Sequence, residues 1–212
     1  MLERERRTIA VSEFEVREAG EGEGFVVKGH GTTFDDAYRV WDFDEVIDRA
    51  AIRDDIQETD VFAFWSHDSS IPLARTTNGT LKLSKDDVGL AVEFTMPEER
   101  RAEAEAIRTG LVDKMSLGFY VERQRWEERE GDLPDLRTIL EMELIEVSAV
   151  AMPANPNTDL APREREAIAE ARAECLGPEC ERAARRAARS EPVKVGRDRP
   201  DPRRVRLEDA EG

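Results

Sequence analysis

Every Phe, Tyr and Trp of this chain lies at or before Trp126, and residues 163–212 hold none. A segment without aromatic side chains has little large apolar area to bury, so a packed core must be built upstream of it. Charge divides the chain at the same place. Residues 163–212 carry 13 Arg and Lys against 12 Asp and Glu, which leaves 19 bases and 36 acids on residues 1–162. The formal charge of −16 therefore belongs to the aromatic-bearing body. A body of about 160 residues can bury one sizeable core without metals or disulfides.

That charge disfavours a nucleic-acid reader, because an acidic surface repels phosphates. Basic or neutral polypeptides remain suitable partners. The first residues, Met1-Leu-Glu-Arg-Glu-Arg-Arg7, lack an apolar stretch, so a secretory signal is not expected. No run approaches the length of a membrane-spanning helix. Cys175 and Cys180 both fall after the body and cannot staple it, which fits a reducing compartment.

Along the chain, residues 1–23 read as a polar segment with a short strand near Phe14–Val16. Gly24–Gly31 reads as a strand ending in a glycine turn, and Asp42–Ala51 has helical spacing. Val61-Phe-Ala-Phe-Trp-Ser66 is an apolar run of strand length that ends at His67-Asp68. Asn78-Gly79 is a hairpin signal between Ile71–Arg75 and Thr80–Ser84, and Asp86–Gly89 is a second turn leading to Leu90–Met96. Pro97 starts a helix that ends near Gly110. Strands follow over about Lys114–Arg125 and Arg137–Ala151, and Pro153 and Pro156 stop the sheet. The expected organisation is a polar segment 1–23, a domain over 24–158, a charged helical tail 159–190 and a disordered tail 191–212.

Chemistry narrows to few residues, because there are only two histidines. His30 sits between glycines at a strand end, whereas His67 follows the most apolar strand, where burial and a partner could tune its pKa. Period-two alternation over Arg137–Ala151 puts Glu146 with Leu140, Met142, Leu144, Ser148 and Val150, and puts Glu141 and Glu143 on the other face. A carboxylate in apolar surroundings needs a partner, and an imidazole would serve. In Lys114–Tyr120, Ser116 and Gly118 share a face, leaving an opening where a substrate backbone could approach. Ser, His and an acid on neighbouring strands can act as nucleophile, base and orienter of acyl transfer, although spacing does not establish the geometry. Asp68 is a rival orienter and Ser148 a rival nucleophile.

The ordered set of Ser66-His67-Asp68, Ile71-Pro-Leu-Ala-Arg75, Asp87-Val-Gly-Leu90, Met115-Ser-Leu-Gly-Phe119, Glu146-Val-Ser-Ala-Val150 and Met152-Pro-Ala-Asn-Pro156 resembles the HK97-type prohead maturation proteases of tailed phages. The likeness runs from about Phe25 to Thr158. It implies a mostly β, α+β fold: an antiparallel β-barrel with surrounding helices, similar to the herpesvirus assemblins. It implies a serine endopeptidase that cuts the scaffold or the N-terminal segment of the capsid protein, and then itself.

On this likeness Ser116 matches the nucleophile, His67 the base and Glu146 the third member, with no cofactor and no metal. Ala74 stands where a glycine is commoner. The implied partners are the major capsid protein, its scaffold segment and the portal, without nucleic acid or membrane and with an oligomer allowed. The implied place is the host bacterial cytoplasm, inside the immature procapsid. The alternatives are a non-catalytic assembly or scaffold protein that keeps the fold and, less favoured, a metal-dependent hydrolase using His30 and His67. The cysteine pair lacks two further zinc ligands and reads as incidental, and the Arg182–Arg189 segment reads as a solvated helix.

Overall fold

A computed structural model describes residues 4–9, 14–20, 22, 24–151 and 162–176. The strands are β1 (Arg4–Ile9), β2 (Glu15–Glu18), β3 (Phe25–Thr33), β4 (Tyr38–Val40), β5 (Phe43–Ile47), β6 (Phe62–Trp65), β7 (Asp68–Arg75), β8 (Leu81–Lys85), β9 (Gly89–Met96), β10 (Lys114–Glu127) and β11 (Leu136–Val150). Two α-helices are described, α1 (Arg101–Arg108) and α2 (Pro162–Leu176). The fold is mostly β, of the α+β kind.

The strands form two sheets that do not close into a barrel. One runs β1-β10-β11-β5-β4, with β6 also on β11 and β7 outside β6; the other runs β2-β3-β9-β8. The larger sheet is mixed. β11 pairs β10 antiparallel, but takes β5 along Leu136–Ile139 and β6 along Glu146–Ala149 in parallel. Val27, Leu81, Leu90, Phe94 and Met96 of the smaller sheet bury against Ile47, Met115, Leu117, Phe119, Ile139 and Val147 of the larger. Ala104 and Ile107 of α1 join this core. The helix starts through a tight turn after Pro97 and ends before Gly110, which takes a φ of +74°.

Several elements depart from the sequence reading. Asp42–Ala51 is not a helix: Phe43, Glu45 and Ile47 alternate inward on β5, and a short 3-10 turn follows over Arg49–Ala51. Glu45 is the reason, since a buried charged residue hides a period-two pattern. β3 does not turn at its glycines but continues to Thr33. The Asn78-Gly79 turn joins no hairpin, because β7 pairs β6 while β8 pairs β9; it carries the chain between sheets. The polar segment before residue 24 contains two strands, of which β1 was not expected.

The charged helix after the body is docked along α2. Ile168 is buried with Val40, Phe43 and Trp126, and Cys175 and Leu176 pack alongside. Arg172 binds Asp135 at 2.8 Å and Asp42 at 2.9 Å, and its guanidinium lies 5.5 Å from the Trp126 ring centroid. The 191–212 tail, Cys180 and the Arg182–Arg189 cluster lie outside the described residues.

Candidate active site

The site begins with a backbone irregularity. From Ser116 to Gly118, β10 pairs β11 in one register, Ser116 opposite Ser148 and Gly118 opposite Glu146; the register then shifts, so that Phe119 lies opposite Leu144. Ile145 is the extra residue of a β-bulge. A bulge re-aims the side chains beyond it. Met142 and Leu144 share the core face with Phe119 and Leu117, whereas Glu146 and Ser148 share the opposite face with Ser116. The single apolar face drawn through Leu140–Val150 from alternation alone is therefore broken at Ile145.

His67 reaches that same face from a tight turn. β6 and β7 form an antiparallel hairpin whose last pair is Trp65 with Asp68, so Ser66 and His67 make a two-residue loop. Their φ values are +51° and +61°, the positive-φ pair of a primed hairpin turn. Non-glycine residues hold such a conformation at a cost of about 1–3 kcal/mol each, and strain of this kind recurs where a side chain must be aimed.

The imidazole is aimed at Glu146. His67 Nδ1 lies 2.7 Å from Glu146 Oε1, and the Glu146 side chain is 0% exposed. Arg4 Nη2 donates to the same oxygen at 2.6 Å, and the Ser148 hydroxyl donates to Oε2. Burial works to raise the Glu146 carboxyl, but the His67 hydrogen bond and charge, the Ser148 hydroxyl and the Arg4 guanidinium together hold it below the usual carboxylate value. An ionised carboxylate at Nδ1 selects the imidazole tautomer protonated there. Nε2 then carries the lone pair, and it is buried with no hydrogen-bond partner among the described residues.

Ser116 is on the same face as Glu146, and among the described residues it makes no hydrogen bond to the imidazole Nε2. It is 0% exposed, and its hydroxyl donates to the Arg7 carbonyl of β1 at 3.2 Å. Gly118 has a different use from the one its sequence suggests. A Cβ there would lie 2.5 Å from Glu146 Oε1, 2.7 Å from Arg4 Nη2 and 2.8 Å from Glu146 Cγ. The space beside Ser116 holds the carboxylate and its guanidinium partner.

The other candidates separate from this cluster. Asp68 is exposed and bonds the Ser70 backbone and hydroxyl, so the carboxylate at His67 is Glu146. Ser148 serves Glu146. His30 is on β3 in the other sheet, with Nε2 2.8 Å from Asp86. Among the described residues no three His, Cys, Asp or Glu side chains cluster as a metal site would require. Arg4 was missed by sequence reading because an arginine in a polar leading segment gives no apolar periodicity to mark a strand.

A mostly β protein with Ser, His and Glu on one sheet face has the residue types of a serine hydrolase. Residues 12–172 match the model of the caudovirus prohead serine protease family, and the chain belongs to that family of phage capsid-maturation proteases. No curated protein and no solved structure matches the chain.

Proposed function

We propose that the protein is a serine endopeptidase that cleaves scaffold or the N-terminal segment of the capsid protein, and itself, inside the immature procapsid in the host cytoplasm. The observation that carries this reading is the His67 Nδ1–Glu146 contact of 2.7 Å on the face that bears Ser116, with Nε2 unpartnered among the described residues. The Ser116 hydroxyl turns from the Arg7 carbonyl to Nε2. As Oγ bonds to the scissile carbonyl carbon, its proton passes to Nε2. The C–N bond then breaks and Nε2 gives that proton to the leaving amine. Water attacks the acyl-enzyme by the same relay, and Glu146 stabilises the imidazolium in both halves. Partners are the major capsid protein, its scaffold segment and the portal.

Co-expression with the capsid protein tests this. Ser116→Ala should leave a folded protein and uncut capsid chains by mass spectrometry; continued processing by that variant sinks the assignment. One observation favours a second reading, a non-catalytic assembly protein of the same fold: Ser116 is fully buried and bonded to a backbone carbonyl. Particles that mature normally with His67→Ala would support it.

A further inference from the structure

We propose that Arg4 is a positioning residue of this site, sharing the Glu146 carboxylate with His67 and setting how strongly that carboxylate holds a proton on the imidazole. The inference rests on the pairing of His67 with Glu146 as base and orienter given above. Arg4 lies on β1, ahead of the residues that match the family, 12–172.

Four observations lead to it. Arg4 Nη2 and His67 Nδ1 converge on one oxygen, Glu146 Oε1, at 2.6 and 2.7 Å. The groups facing Glu146 are thus Arg4 from β1, His67 from the β6–β7 turn and Ser148 from β11, while Gly118 of β10 contributes no side chain. Gly118 is what makes room, since a Cβ would strike both Glu146 Oε1 and Arg4 Nη2. Finally, β1 cannot drift. Its alternate residues Glu5 and Arg7 turn to the other face and enter a buried network with Glu45 and Arg137. Arg7 Nε binds Glu45 at 2.6 Å, and Arg137 Nη1 binds Glu5 at 2.7 Å and Glu45 at 2.8 Å. The network fixes the strand, and the strand fixes the guanidinium.

The electrostatic consequence has a definite sign. With Arg4 in place, the charge of Glu146 is divided between a permanent cation and the imidazole. Without it, the whole charge acts on the imidazole, which then keeps its proton to higher pH. A base that stays protonated cannot take the Ser116 proton, so Arg4 widens the pH range over which His67 is ready to act.

The test is an NMR titration of the imidazoles in the full chain. Only His30 and His67 are present, and His30→Asn assigns them. Arg4→Gln should raise the His67 midpoint by about one pH unit, a tenfold change in proton affinity, and Arg4→Lys should restore most of it. An unchanged midpoint in Arg4→Gln overturns the proposal. So does an equal shift in a Glu146→Gln background, where the coupling through the carboxylate should be gone. This readout needs no turnover, so it stands apart from failure of the protease assignment. With capsid cleavage as the assay, the acid limb of kcat/KM should rise by the same amount; a pH-independent loss would mean that Arg4 is merely structural.

Discussion

At the scale of single residues, the site depends on a side chain that is absent. Gly118 faces Glu146 Oε1 and Cγ so closely that a methyl group would stand 2.5 and 2.8 Å away. Gly118→Ala should therefore displace the carboxylate, destabilise the protein by about 1–3 kcal/mol and reduce cleavage more than its stability loss explains. Denaturant melts paired with the capsid assay check this. Ser66 makes a second demand, because its φ of +51° is hard for a β-branched residue. Ser66→Val should open the β6–β7 turn and lower the melting temperature, while Ser66→Gly should not lower it. An equal melt for the valine variant would contradict the turn account. The candidate site was partly readable at this scale. His67 was singled out as a candidate base and Glu146 as a carboxylate needing a partner, and the two side chains do meet. The argument that singled out Glu146 assumed unbroken alternation, however, and the bulge at Ile145 breaks it. A backbone bulge leaves no mark in an apolar pattern.

Among the elements, β1 and β5 hold the lesson about buried charge. Glu5, Arg7, Glu45 and Arg137 are all buried, two acids against two bases, and the Tyr38 hydroxyl adds a bond to Glu45 at 2.6 Å. Burial pushes the Glu45 carboxyl up, but the Arg7 and Arg137 guanidinium groups outweigh it and hold the carboxyl below its usual value. A sequence rule that expects apolar residues inward reads such strands as polar segments or helices, and it did so for both. Removing one member is costly because it leaves an uncompensated buried charge. Arg7→Leu should cost about 3–5 kcal/mol of stability, measurable by urea unfolding; a loss below about 1 kcal/mol would show the network to be solvated. The pH dependence follows from the depressed carboxyls of Glu45 and Glu146. Folded values below unfolded ones give stability that is complete above the ordinary carboxylate range and is lost as pH falls through the folded values. Urea midpoints should therefore decline below about pH 4.

For the whole molecule, the boundary that composition draws near residue 162 is not a boundary of packing. α2 begins there, yet Ile168 is buried against Val40, Phe43 and Trp126, and Arg172 reaches Asp42 and Asp135. A helix rich in Ala, Glu and Arg shows no apolar stripe, so its docking through one isoleucine and one arginine could not be read from periodicity. Ile168→Asp should release α2, seen as faster amide exchange over residues 162–176, with the His67–Glu146 site undisturbed. The individual strands from β6 to β11 were largely foreseen where they are apolar, but as members of a closed barrel and not of two sheets. What escaped was the closure, since β11 takes β5 and β6 in parallel rather than completing a barrel.

The central claim is that Ser116 is the nucleophile activated through His67 and Glu146. Intact-mass analysis after treatment with a fluorophosphonate, which traps activated serines, tests it most directly. The account predicts one adduct, mapped to Ser116 by peptide sequencing and lost in His67→Ala. An adduct on Ser148, or labelling of Ser116 that persists undiminished without His67, would contradict it.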